Sequence, residues 1–381
     1  MKKIVVLGGG PGGLVAAYNL ARLLRGKAEI TLIDKTGYHL FPPSLLWVMV
    51  GQREPEDIMR PLSKLEKHGI KVVTASVESI DPDNNKVATS GGEFEYDYLV
   101  VSLGSTPRPE LMKADDTVCS PWTVEGALDC RRKLAGFKSG RIIVGAWSWP
   151  YKCPPAPFET AFLVKYLLEQ RGGDAQVTVV HFWKKPMEPF GPTMAEAFQS
   201  FLDMYGVGFK GGVEPMEARG GRLVASSGEE IEYDLAVFAP PHEPPKPVAE
   251  SPLGDESLGG YMRVDKRTLR SPRYGNVFGV GDIIAPSLGL GMAGIFAHFQ
   301  AEYVASQIAD EILGTYMGEH YNMSGVCVMD LGYAGAAVYC DFSKKVMGEA
   351  EYPDCVILGG MRAFRPLKYA FERYWLEKWF T

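Results

Sequence analysis

Two cysteines offer the clearest chemistry in this sequence. Cys153 stands in Tyr151-Lys152-Cys153-Pro154-Pro155-Ala156-Pro157-Phe158-Glu159, at the start of a helical pattern. A thiol at a helix N-terminus and beside a lysine is favoured as the nucleophilic thiolate. The prolines that follow fix the direction in which it is aimed. Cys327 lies in Ser324-Gly325-Val326-Cys327-Val328-Met329-Asp330, a strand-type run. The other cysteines are at 119, 130, 340 and 355, with no Cys-x-x-Cys and no neighbouring His pair. That spacing argues against zinc, and no other metal set is expected. Cys130, Cys340 and Cys355 are expected as packed thiols in a chain long enough to bury its own core.

A second site opens the chain. Gly8-Gly9-Gly10-Pro11-Gly12-Gly13 follows a strand run, opens a helix, and is followed by Asp34 at the end of the next strand. The acid stands about 20 residues on, where a dinucleotide fingerprint places it. Gly8 permits the tight turn, Gly10 lets backbone approach a pyrophosphate, Pro11 starts the helix, and Gly13 lets helix and sheet close up. Asp34 is expected to accept from ribose hydroxyls.

The elements that must position these residues alternate. Strand patterns at Lys3–Leu7, Glu29–Asp34, Lys71–Val77 and Tyr98–Ser102 surround a helix over 14–24, which predicts a parallel sheet. A second alternating unit runs through strand Ile142–Ala146, helix 158–170, strand Val177–His181, helix 194–205 and strand Tyr233–Ala239. The proline-rich run 239–245 reads as a linker. Strand Val277–Val280 and a long helix over 291–313 follow, then two strands (326–330 and 336–341) and a last amphipathic segment, 366–380. The predicted fold class is α/β, with two Rossmann-like domains and a C-terminal strand and amphipathic-helix region. The expected units are 1–108 with 272–315, then 109–247, then 316–381.

Composition bounds the partners. The net charge is −6, with no cationic block, which argues against nucleic acid. No apolar run approaches the ~18 residues of a membrane span. The opening Met1–Leu7 stops at glycines too soon for a cleavable signal peptide. There are 43 glycines and 27 prolines in 381 residues, above the average of about 7% and 5%, and the surplus belongs at specific turns.

Two further segments resemble the two-dinucleotide flavoproteins: Tyr96–Gly104, with Ser102 and Gly104 at its end, and Val277-Phe278-Gly279-Val280-Gly281-Asp282. The resemblance implies FAD, with Asp282 toward the ribityl chain. Cys153-Pro-Pro-Ala-Pro-Phe-Glu159, Gly325-Val-Cys327-Val-Met-Asp330-Leu-Gly332 and Lys368-Tyr-Ala-Phe-Glu-Arg-Tyr-Trp375 together resemble sulfide:quinone oxidoreductase, and the related flavocytochrome c sulfide dehydrogenase is similar. By that resemblance Cys153 and Cys327 form the redox pair, Cys119 is a third active-site cysteine, and Glu159 carries a proton. Lys35, Ser44, Val77, Gly281, Met292 and Gly294 join the expected FAD contacts. Sulfide and a quinone are the implied substrates. Peripheral membrane contact through the last helix and a homo-oligomer are the implied assembly.

Two departures bear on the electron acceptor. Met292 stands in Gly289-Leu290-Gly291-Met292-Ala293-Gly294 where the family has a lysine near the flavin, so a cation that would favour reduced flavin is missing. The second unit's strand exit, Gly145-Ala146-Trp147-Ser148-Trp149-Pro150, lacks a nicotinamide fingerprint, because indoles there block backbone approach to a pyrophosphate. This disfavours NADH as donor. Donation to a cytochrome c partner and a redox-sensing flavoprotein without turnover are the alternatives. On the last helix Leu367, Phe371, Tyr374, Trp375, Trp379 and Phe380 are expected on one membrane-facing side. Lys368, Glu372, Arg373, Glu377 and Lys378 are expected opposite.

Overall fold

The computed structural model describes residues 1–318 and 321–381; residues 319 and 320 of the 316–381 unit lie outside the described residues. The chain begins with β1 (Lys2–Leu7), α1 (Pro11–Leu24), β2 (Ala28–Asp34), β3 (Ile70–Thr74) and β4 (Tyr98–Val101). A second series follows: β5 (Val118–Cys119), α2 (Val124–Ala135), β6 (Ser139–Ala146), α3 (Ala156–Gln170), β7 (Asp174–His181), α4 (Pro192–Met204), β8 (Gly208–Gly211) and β9 (Leu235–Ala239). The chain then enters β10 (Val277–Gly279) and α5 (Gly294–Leu313). It ends in β11 (Ser324–Asp330), β12 (Gly335–Asp341), β13 (Asp354–Met361) and α6 (Arg365–Lys378).

Three sheets organise these elements. The first has the order β10-β4-β1-β2-β3, parallel throughout, so the late strand β10 returns to the sheet begun by β1. The second, β5-β9-β6-β7-β8, is also parallel. Strands buried on both faces read as near-continuous apolar runs, as in the core residues Ile4–Leu7 and Leu99–Val101. The third, β11-β12-β13, is antiparallel.

Several expectations are corrected. The run read as one strand over 71–77 breaks at Ala75, and Val77 begins a separate strand, Val77–Asp81, of a small antiparallel sheet. The tail holds three strands rather than two, because β13 carries glycines and outward apolar residues that hide its alternation. The long helix begins at Gly294, leaving Met292 before it in an isolated parallel bridge with Lys152.

The last helix departs in part from the expectation: Arg373, Glu377 and Lys378 are exposed as expected, but the stripe that meets the core is a mixed one. Lys368, Glu372, Trp375, Leu376 and Trp379 are buried, whereas Leu367 and Tyr374 are exposed. The spacing 368, 372, 375, 379 is itself a helical stripe. Its polar members lie inward because other elements supply their partners: Glu372 meets Ser44 and Arg53, and Lys368 meets Glu159.

Candidate functional site

The glycine turn joins β1 to α1 with little room to spare. Gly8 has φ of 95°, and a Cβ there would strike the Ser102 carbonyl oxygen. A Cβ on Gly13 would strike the Gly8 carbonyl oxygen, whereas one on Gly10 would meet nothing within 4 Å. The crowded glycines let backbone segments meet, and the open one leaves space where a phosphate would sit against free helix N–H groups. No side chain caps the helix start at Gly10.

The neighbouring segments converge on this turn. Gly12 faces Ser102 and Val280, and Gly294, opening α5, lies 3.3 Å by its would-be Cβ from Pro11. Gly104 has φ of 67°, with the Asp282 carboxylate 4.0 Å from its would-be Cβ. Gly281 donates to Gln300 Oε1 at 2.6 Å. Burial pushes the Asp282 carboxyl up, against the pull of Lys152. The open cradle at Gly10 and the inward carboxylate at Asp282 fit a dinucleotide cofactor.

Four expected contacts prove less simple. Asp34 accepts from Gly9 N at 2.8 Å and from Thr36 N at 2.8 Å, so it braces the glycine turn with the oxygens expected on ribose. Ser44 is fully buried and donates to Glu372 Oε1 at 2.6 Å. Val77 pairs with Thr89 in the small antiparallel sheet, and Lys35 is exposed.

Cys153 and Cys327, remote in sequence, are brought together. Neither is in a disulfide. Cys153 precedes α3 in the left-handed region, with φ of 61°, a conformation that costs on the order of 1–3 kcal/mol away from glycine. Hydrogen bonds hold it there: Cys153 N donates to the Met292 carbonyl at 2.7 Å, and Ala156 N donates to the Cys153 carbonyl at 2.8 Å. On β11 the strand alternation exposes Val326 and turns Cys327 inward. A hydrogen bond with the Cys153 sulfur and burial push the Cys327 thiol well above its usual range.

Two charged groups stand beside this pair: Glu159, expected in the site, and Lys368, expected on the outer face of the last helix. Glu159, on the first turn of α3, is buried and accepts from Asp330 N at 2.8 Å and from Lys368 Nζ. Burial pushes the Glu159 carboxyl up, although Lys368 pulls against it. For Lys368 burial acts downward, but the adjacent Glu159 outweighs it and the ammonium is held up. Both groups are near enough to Cys327 to act on it electrostatically. Asp330 is fully buried, accepting from Trp47 Nε1 at 3.0 Å and paired with Arg365 at 3.1 Å. Lys368 lies within the motif that had pointed to the family, but its grouping with the charged, outward residues of the last helix concealed its role.

The remaining cysteines correct two expectations. Cys119 is bonded to Cys130, tying β5 to α2, so it offers no free thiol beside the redox pair. Cys340 is bonded to Cys355 across β12 and β13, so neither is a packed thiol. Among the described residues no cluster of His, Cys, Asp and Glu could hold a metal ion.

The exit of β6 is filled with aromatic rings. Trp147 is buried edge-on against Phe238 at 5.6 Å, and Trp149 lies 5.9 Å from Trp183.

Comparison with known proteins agrees with this geometry. Residues 2–148 match the Pyridine nucleotide-disulphide oxidoreductase family. The chain is 29% identical over 400 residues to the sulfide-quinone reductase of Aquifex aeolicus (strain VF5), covering 99% of this chain and 91% of that one. It is 28% identical over 310 residues to the type II NADH:quinone oxidoreductase of Staphylococcus saprophyticus, covering 74% of this chain and 75% of that one. The crystal structure of the Aquifex aeolicus sulfide:quinone oxidoreductase superposes with a TM-score of 0.87 at 26% identity, covering 100% of this chain and 91% of that one. In sequence along 99% of its length, and in fold, the chain is similar to the sulfide:quinone oxidoreductase of Aquifex aeolicus.

Proposed function

We propose that this protein oxidises sulfide to polysulfide or sulfur through Cys153 and Cys327, with FAD as cofactor and a membrane quinone as acceptor. The observation that carries the reading is the meeting of Cys153 and Cys327 beside a buried Glu159–Lys368 pair. FAD would be held by the 8–13 turn, Ser102, Gly104, Gly281 and Asp282, and would supply the two-electron exchange between sulfur and quinone.

The protein's own groups prepare the sulfur chemistry. Once their two thiols have been oxidised to a disulfide, with the electron pair passed to the flavin, hydrosulfide would attack that bond; one cysteine becomes a persulfide and the other leaves as a thiolate. Lys368 stabilises negative charge at Cys327, and Glu159 holds or passes the proton released there. The left-handed backbone at Cys153, fixed by Met292, keeps that sulfur aimed at its partner.

The relation to an NADH:quinone oxidoreductase makes NADH oxidation the second reading, and the aromatic filling at the β6 exit speaks against it. Purified protein should be bleached at its flavin by sulfide and not by NADH, then reoxidised by a soluble quinone analogue faster than by cytochrome c. Cys153→Ser should slow bleaching at least a hundredfold. A flavin that stays oxidised under sulfide, or a serine variant as fast as the parent, overturns the reading.

Of the helix side expected to meet the membrane, Leu367 and Tyr374 are exposed, and the proposed contact adds a sheet face. Val326, Tyr339 and Val356 pair in register across β11, β12 and β13 and are all exposed, as are Leu358, Leu367 and Tyr374. An exposed apolar sheet face suits a headgroup boundary. Among the described residues no helix is long and apolar enough to cross a membrane.

A further inference from the structure

The turn that carries Cys153 brings a cation into the cofactor site. Lys152 and Met292 form a parallel backbone bridge, and the next residue continues it with the Cys153 N–H on the Met292 carbonyl. Trp122 Nε1 donates to the Lys152 carbonyl at 2.9 Å, so the backbone of Lys152 is fixed from two sides. Its side chain is 30% exposed and reaches Asp282, with Nζ 3.6 Å from Oδ2. That separation is long for an ion pair, and Asp282 is its one ion-pair partner among the described residues.

A second observation marks the same place as built for a ligand. His242 is 5% exposed and close enough to Lys152 to feel its charge. Its Nδ1 lies 2.8 Å from the Pro240 carbonyl, which can only accept, so Nδ1 carries the proton and Nε2 is left as an acceptor. That Nε2 is buried without a partner. A buried acceptor without a donor is costly in a finished core and ordinary in a site that a polar ligand completes.

We propose that Lys152 is the positioning cation for the flavin, setting how readily it accepts electrons. This rests on the reading of the Gly8–Gly13 and Asp282 region as a flavin site. A flavin gains negative charge on two-electron reduction, and a fixed ammonium beside it favours the reduced form, more strongly in a site shielded from water. Met292 supplies no charge but anchors the backbone that does. The same bridge holds Cys153, so the group that delivers electrons and the group that receives their charge share one turn.

The test uses the purified flavin-bound protein at a fixed pH. Lys152→Met should lower the equilibrium constant for two-electron flavin reduction at least tenfold, a drop of about 30 mV in midpoint potential. Sulfite adds reversibly to oxidised flavin and leaves negative charge on the ring, so its Kd should weaken by a similar factor without any turnover. Lys152→Arg should keep both values near the parent, and Lys152→Met with Met292→Lys should restore them. Unchanged potential and unchanged sulfite affinity in Lys152→Met would overturn the proposal while leaving sulfide oxidation standing. A potential that follows Lys152 in a protein whose flavin sulfide does not bleach would do the reverse. A purified protein without flavin overturns both.

Discussion

The Glu159–Lys368 pair shows what single residues contribute and how far they can be read. Cys153 was legible from its place beside a lysine at a helix start, and Cys327 and Glu159 from motifs that resemble sulfide:quinone oxidoreductase. Lys368 was not, because a lysine on an aromatic-rich helix is ordinarily solvated, and only the arrival of α3 supplies its partner. Its amine and the Glu159 carboxylate are both buried, so each makes the other's charge tolerable. Lys368→Met should therefore destabilise the fold by about 3–5 kcal/mol by leaving a lone buried carboxylate. Adding Glu159→Gln should recover most of the loss, because neither charge then remains. Urea unfolding of the parent and the two variants checks this. A double variant no more stable than Lys368→Met would show that the lost charge balance is not the cause.

At the scale of elements, the α/β alternation was legible and the orientation of the last helix was not. Parallel strands buried on both faces announce themselves as apolar runs between helical stretches, which is why β1 and β2 were found to within a residue and β6 and β7 at their buried C-terminal ends, while their largely exposed first residues were missed. Helix α6 carries two candidate stripes, and periodicity cannot say which one meets the core. The structure selects the stripe with Lys368, Glu372, Trp375 and Trp379, since Trp375 Nε1 also donates to His39 Nε2 at 2.9 Å. Cutting the chain after Arg365 would thus remove core residues, and loss of liposome binding in such a truncation would say nothing about an interfacial helix. The better variant is Val356→Glu with Leu358→Glu on the outer face of β13, where both side chains are more than half exposed. It should leave folding and sulfide bleaching intact and reduce sedimentation with liposomes at least fivefold. Undiminished binding would move the membrane contact off this sheet.

Across the whole molecule the two ends of the chain close over the cofactor turn, a relation that no local pattern announces. His39 joins them: its Nδ1 lies 2.9 Å from the Gly9 carbonyl and its Nε2 accepts from Trp375 of α6. Burial lowers its pKa to about 4, so the folded protein holds it neutral where an unfolded chain protonates it near 6.5. The folded value is the depressed one, so the unfolded state binds the extra proton between these limits and stability rises with pH there. Acidification through this window must cost stability, and near pH 5 this one residue contributes a slope of roughly 1 kcal/mol per pH unit. His39→Gln keeps a donor for Gly9 and an acceptor for Trp375 but cannot take up the proton. The variant should lose stability less steeply than the parent by that amount between pH 6 and pH 5, measured by urea unfolding at each pH. Parallel curves would mean that His39 is not held neutral and that the closure of the chain ends does not depend on its uncharged form.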